Sequence, residues 1–149
     1  MQTRQTVAMP ILNGALLCDA AHDYNGRVSI LGGFINILNV PGFPFPAPIW
    51  YAARVAFSAE EVVVEEREMI VRARDPANQI LAEVRAHLRR DDELVRRAAA
   101  VPDLASGTNL VFPFPFIVAA EGIYWVDLIV DGELLSALPL KVILQQPNQ

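Results

Sequence analysis

Two runs of alternating side chains meet at Asp131-Gly132 and admit a β-hairpin and little else. Tyr124, Val126, Leu128 and Val130 recur at every second residue, and after the turn Leu138, Leu140, Val142 and Leu144 do the same. Successive side chains on a strand point to opposite faces, so each run offers one apolar face to a core. An Asp-Gly pair tolerates the positive φ angles that a two-residue hairpin loop demands. By the same alternation Ile123, Trp125 and Ile129 turn to the other face, where the returning strand adds Ile143. Asp127 and Lys141 share that face. Several large apolar side chains on one outward sheet face mark a contact surface, and these four are the candidate surface for self-association or a protein partner.

The rest of the chain repeats the pattern with different punctuation. Residues 11–20 form an apolar segment, Asn25-Gly26 supplies a second hairpin turn, and Val28 and Ile30 then share a face opposite Arg27 and Ser29. Gly32-Gly33 permits a bend before 34–38. Four prolines in 41–48 remove backbone donors, so this stretch is expected to be an extended loop with Phe43 and Phe45 clamped onto the end of the core. In Ile49–Phe57 the residues Ile49, Tyr51, Ala53, Val55 and Phe57 alternate with Trp50, Ala52, Arg54 and Ala56. Ser58 and Glu61 have capping-box spacing, but Val62-Val63-Val64 disfavours a long helix, so a turn at 58–61 leads into a strand over 62–74.

Asp75-Pro76-Ala77-Asn78 reads as a turn, after which Ile80, Ala82, Val84, Ala86 and Leu88 alternate as a strand. A helix over 79–99 is the rival, because Ala, Leu, Glu and Arg all favour it. Residues 89–108 are expected to be a short helix over 92–99, with Asp91 as N-cap, or a loop excursion. In 109–119 the side chains of Leu110, Phe112, Phe114, Phe116 and Val118 share one face while Pro113 and Pro115 fall on the other, which implies an edge or bulged strand.

These elements predict an all-β fold, an antiparallel β-sandwich of immunoglobulin-like or C2-like type, in one domain over 1–149. A chain of 149 residues with 53% hydrophobic and 19% charged residues has ample material for a core. Its net charge of -5 gives no general attraction to nucleic acid, and the basic residues Arg85, Arg89, Arg90, Arg96 and Arg97 lie among Asp91, Asp92 and Glu93. Cys18 is the one cysteine and sits in an apolar run, as a buried thiol would. No apolar run reaches the length of a membrane helix, and the first residues lack a signal-peptide core, so no membrane insertion and a cytoplasmic location are expected.

Leu16-Leu17-Cys18-Asp19, Asn25-Gly26-Arg27 and Ile30-Leu31-Gly32-Gly33 resemble a family of small uncharacterised bacterial proteins, a domain of unknown function. Glu121-Gly122-x-Tyr124, Val130-Asp131-Gly132 and Leu138-Pro139-Leu140 resemble the same family. The resemblance spans nearly the whole chain and implies a β-sandwich without bringing catalytic residues. Gly122-x-Tyr124 also resembles the start of a late strand in immunoglobulin-like sandwiches, where a tyrosine closes a corner onto nearby backbone.

Chemistry-bearing residues do not gather in recognisable spacing. His22 and His87 belong to no metal-ligand cluster, the serines lack a nucleophile elbow, and no Gly-rich phosphate loop occurs, so neither a catalytic residue, a metal nor a cofactor is assigned. The leading expectation is a non-enzymatic protein that interacts through its surface or serves a structural role. One alternative is a small apolar-ligand binding protein lined by Phe43, Phe45, Phe112, Phe114 and Phe116; another is a hydrolase with an unrecognised site.

Overall fold

A computed structural model describes residues 10–57, 66–89, 92–100 and 106–146. Strands β1 (Ile11–Tyr24), β2 (Arg27–Gly33), β5 (Trp50–Phe57) and β8 (Ser106–Pro113) make a first sheet in the order β2-β1-β5-β8. A second sheet joins β3 (Ile37–Val40), β11 (Glu133–Leu144), β10 (Gly122–Val130), β6 (Glu66–Arg74) and β7 (Ile80–Arg89), in the order β3-β11-β10-β6-β7. Short strands β4 (Phe45–Ala47) and β9 (Phe116–Val118) pair with each other, and α1 (Asp92–Ala100) follows β7. The protein is therefore all-β in architecture, built on two curved sheets. Every strand pair is antiparallel except β3 with β11.

The alternation of the sequence fixes which face each strand buries. Tyr51, Ala53 and Val55 of β5, Met69, Val71 and Ala73 of β6, and Tyr124, Val126, Leu128 and Val130 of β10 enter one core cluster that draws on both main sheets. At the β10–β11 turn Asp131 and Gly132 have φ of 47° and 82°, and Val130 pairs with Glu133 across the two-residue loop. Arg67 of β6 lies over the Phe57 ring and donates to Asp131 Oδ2 at 2.9 Å, which ties this turn to the neighbouring strand.

Several sequence expectations are corrected. Over Ile80–Arg89 the expected strand forms and the rival helix over 79–99 does not, because pairing with β6 sets Ala82, Ala86 and Leu88 against the core. The stretch 41–48 is not loop throughout, since β4 pairs with β9 through residues on both sides of Pro46. In a two-stranded sheet a proline can turn its donor-free nitrogen away from the partner. The strand expected over 109–119 divides at Phe114-Pro115 into β8 and β9. His22 and Asp23 lie in the last turn-proximal residues of the 14-residue strand β1, which runs on to Tyr24. The turn at 58–61, the Ser58–Glu61 cap, the first residues of the 62–74 strand and the Asp91 cap lie outside the described residues.

Tyr124 closes a corner. Its hydroxyl donates to the Ala120 carbonyl at 2.7 Å and accepts from the Ala120 amide at 3.3 Å, so its one polar group is satisfied at the end of a buried ring. Tyr51 differs: its hydroxyl is buried without a hydrogen-bond partner among the described residues. Removing that hydroxyl removes an uncompensated desolvation cost, so Tyr51→Phe is expected to raise stability by about 1 kcal/mol in urea denaturation. Burial, and next the negative charge of Asp127, push the Tyr51 phenol above its ordinary 10.0. Above pH 10 the unfolded chain loses this proton while the folded chain keeps it, so stability falls as pH rises, and Tyr51→Phe should abolish that part of the alkaline loss.

Candidate functional site

The length of β1 creates the site. Its first half pairs with β5, from Ile11 opposite Ala56 to Cys18 opposite Trp50, and its second half pairs with β2. Asn25 and Gly26 turn the hairpin with φ of 51° and 77°. The tip returns to the first sheet on its outward side, where the Asn109 side-chain amide of β8 donates to the Gly26 carbonyl at 3.2 Å and to Asp23 Oδ2 at 3.3 Å. Beneath the hairpin a second apolar cluster forms from Cys18, Ala21 and Ala52, with Leu16, Val28, Trp50 and Val111 packed around it.

Asn109 holds a cation as well as the hairpin. Its side-chain oxygen accepts from Arg54 Nη1 at 2.9 Å, so both ends of the amide are engaged and its orientation is set. The Arg54 guanidinium lies against the backbone of Gly107, where a Cβ would stand 2.4 Å from Cζ. Any larger residue at 107 would displace the arginine. Between hairpin and sheet lies a cleft of about 360 Å³, walled by Leu16, Val28, Ile30 and Ala52, with Arg54 and Asn109 at its polar end. That volume falls at the low end for small-molecule sites, and an apolar cavity with a few fixed polar groups is the usual form of one.

On the far side of β2 a cleft of about 370 Å³ includes His22, Ser29, Leu31 and Trp50. His22 and Ser29 are directly opposite in the β1–β2 register, and no hydrogen bond joins their side chains. Cys18 donates to the Trp50 carbonyl at 3.8 Å, and burial, with the charge of Asp19, pushes its thiol pKa upward. A thiol kept protonated is a packing group and a poor nucleophile.

A family model described as a family of unknown function (DUF6941) matches residues 13–143. The chain belongs to that family. No curated protein matches the chain. The DUF6941 match begins in β1 and ends in β11, so it takes in both main sheets and the cleft beneath the hairpin.

The DUF6941 chain disperses the residues singled out from its sequence. Phe114 and Phe116 are buried in the core, Phe43, Phe45 and Phe112 pack against it, and none of the five lines the two clefts described here. Ile123, Trp125, Ile129 and Ile143 do face outward, but Trp125 is half-buried beneath the Arg74 guanidinium, and Ile70 is buried opposite Ile129 on that face. His87 meets Glu66 at 3.3 Å on exposed strand surface. No group of three His, Cys, Asp or Glu residues suited to a metal occurs among the described residues. No helix among them is long and apolar enough to cross a membrane. Sequence reading missed Arg54 and Asn109. One signal was available: Arg54 is the only charge in the apolar run Ile49–Phe57.

Proposed function

We propose that this protein works through protein contacts without catalysing a reaction, and that it pairs with a second copy of itself along β2. The supporting observation is the exposure of three large apolar side chains on the first hairpin and just beyond it: Tyr24 at 75%, Leu31 at 70% and Phe34 at 79%. They accompany an edge strand, since β2 ends its sheet and pairs only with β1 among the described residues. Unpaired backbone groups on such an edge are a template for another strand.

Charge placement favours a second copy in antiparallel orientation. Arg27 is the only charged residue of β2 and lies at its first position. Parallel pairing would set two Arg27 side chains together, whereas antiparallel pairing centred on Ile30 separates them by about 20 Å at the usual rise per residue. A two-fold axis then presents the same patch from both copies. Light scattering at rising micromolar concentration is expected to show a mass of twice 16.4 kDa. Leu31→Lys with Phe34→Asp should return the monomer with an unchanged melting temperature, while Trp125→Glu leaves the dimer intact. A monomer mass that persists at all concentrations would overturn the reading; dissociation by Trp125→Glu alone would move the contact to the second sheet.

One finer reading accompanies this one. An immunoglobulin-like arrangement is supported by the Tyr124 corner, which occupies the start of a late strand as it does in such sandwiches.

A further inference from the structure

We infer that the cleft beneath the first hairpin binds a monocarboxylate carrying a short unbranched hydrocarbon chain, with Arg54 as the anion-binding group. The hydrocarbon has walls of its own kind, because Leu16, Val28, Ile30 and Ala52 line the cleft. The carboxylate has a preset partner. Arg54 reaches the cleft with Nη1 held by Asn109 and with its plane laid against Gly107, so little side-chain freedom remains to be lost on binding.

Charge complementarity selects an anion over a neutral polar group. Asn109 is the only hydrogen-bond partner of Arg54 among the described residues, and no carboxylate there forms an ion pair with it. The nearby acid, Asp23, is bonded to the Asn109 amide instead. Nε and Nη2 of Arg54 therefore remain to bind two oxygens side by side, the planar arrangement in which guanidinium and carboxylate match best. With a net charge of -5 on the whole chain, the attraction is local to this one group. The site lies on the inner side of the hairpin and does not depend on pairing along the outer edge of β2.

Octanoate is the probe, with 1-octanol as its uncharged counterpart. Titration of octanoate into the full-length protein at pH 7, followed by methyl NMR, is expected to give saturable shifts at Leu16, Val28 and Ile30. Arg54→Gln should weaken octanoate binding at least tenfold while thermal melting shows the fold intact. Arg54→Lys, which keeps the charge and loses the planar pair of donors, should restore only part of it. 1-Octanol should bind wild type no better than octanoate binds Arg54→Gln. Equal octanoate affinity for wild type and Arg54→Gln, equal affinity of wild type for the acid and the alcohol, or saturable shifts confined to other methyl groups would each overturn the assignment.

Discussion

Replacing Phe114 by alanine is expected to destabilise the fold by about 4 kcal/mol, a large fraction of the total stability of an ordinary domain. The ring is 2% exposed and stands in the middle of an aromatic series. Its centroid lies 5.9 Å from Phe112, nearly edge-on, and 6.1 Å from Phe116; Phe112 continues to Tyr51 and Phe116 to Tyr124. The series thus runs from β5 of the first sheet to β10 of the second, and removal of its middle ring opens a void between them. Collapse into that void is restricted, because Pro113 and Pro115 fix the flanking backbone and the Phe114 amide donates to the Ile49 carbonyl at 2.9 Å. Phe114→Leu, which leaves much of the volume filled, should lose about half as much. Guanidinium titration followed by circular dichroism measures both. A loss below about 1 kcal/mol for Phe114→Ala would mean that the ring fills no core, contrary to its burial.

The core faces could be read from sequence because two local rules determine them. Alternation assigns Tyr124, Val126, Leu128 and Val130 to one side, and Asp131-Gly132 fixes where the chain reverses; neither needs knowledge of distant residues. Where local preference conflicts with pairing, the reading divides. Residues 80–89 have helix-forming composition, and their position beside β6 decides for strand. The cleft lay beyond local rules altogether. Arg54 and Asn109 are 55 residues apart and meet only because β5 and β8 pair, and the cleft over them closes only when β1 extends past β5 and carries Gly26 over the sheet to Asn109. Likewise, period two puts Ile129 and Trp125 on the face away from the core, but could not show that Ile70 and Arg74 of the neighbouring strand would cover part of that face.

That covering rests on one ion pair, and Arg74→Met is expected to cost about 3 kcal/mol because it leaves a buried carboxylate without its counter-charge. Asp127 is 4% exposed and accepts from Arg74 Nε at 2.5 Å and from Nη2 at 3.1 Å. Hydrogen bonding to Asp127 is the main cause of an upward shift in the Arg74 pKa, which marks the charged pair as the stable form. Arg74 has further supports: Nη1 donates to Asn78 Oδ1 at 2.8 Å, and the guanidinium carbon lies 5.8 Å from the Trp125 ring centre. The two ends of the pair are therefore unequal. Asp127→Asn should cost less, about 1 kcal/mol, since Arg74 keeps those supports and its side chain reaches water. In the double variant the stranded charge is gone, so its loss should fall short of the sum of the single losses by about 1–2 kcal/mol. Urea denaturation of the four proteins gives that coupling, and fluorescence in a Trp50→Phe background, where Trp125 is the one remaining tryptophan, reports whether the ring loses its cover. Strict additivity would show that Asp127 does not depend on Arg74 for its charge, and that this face is held by the packing of Ile70 against Ile129 instead.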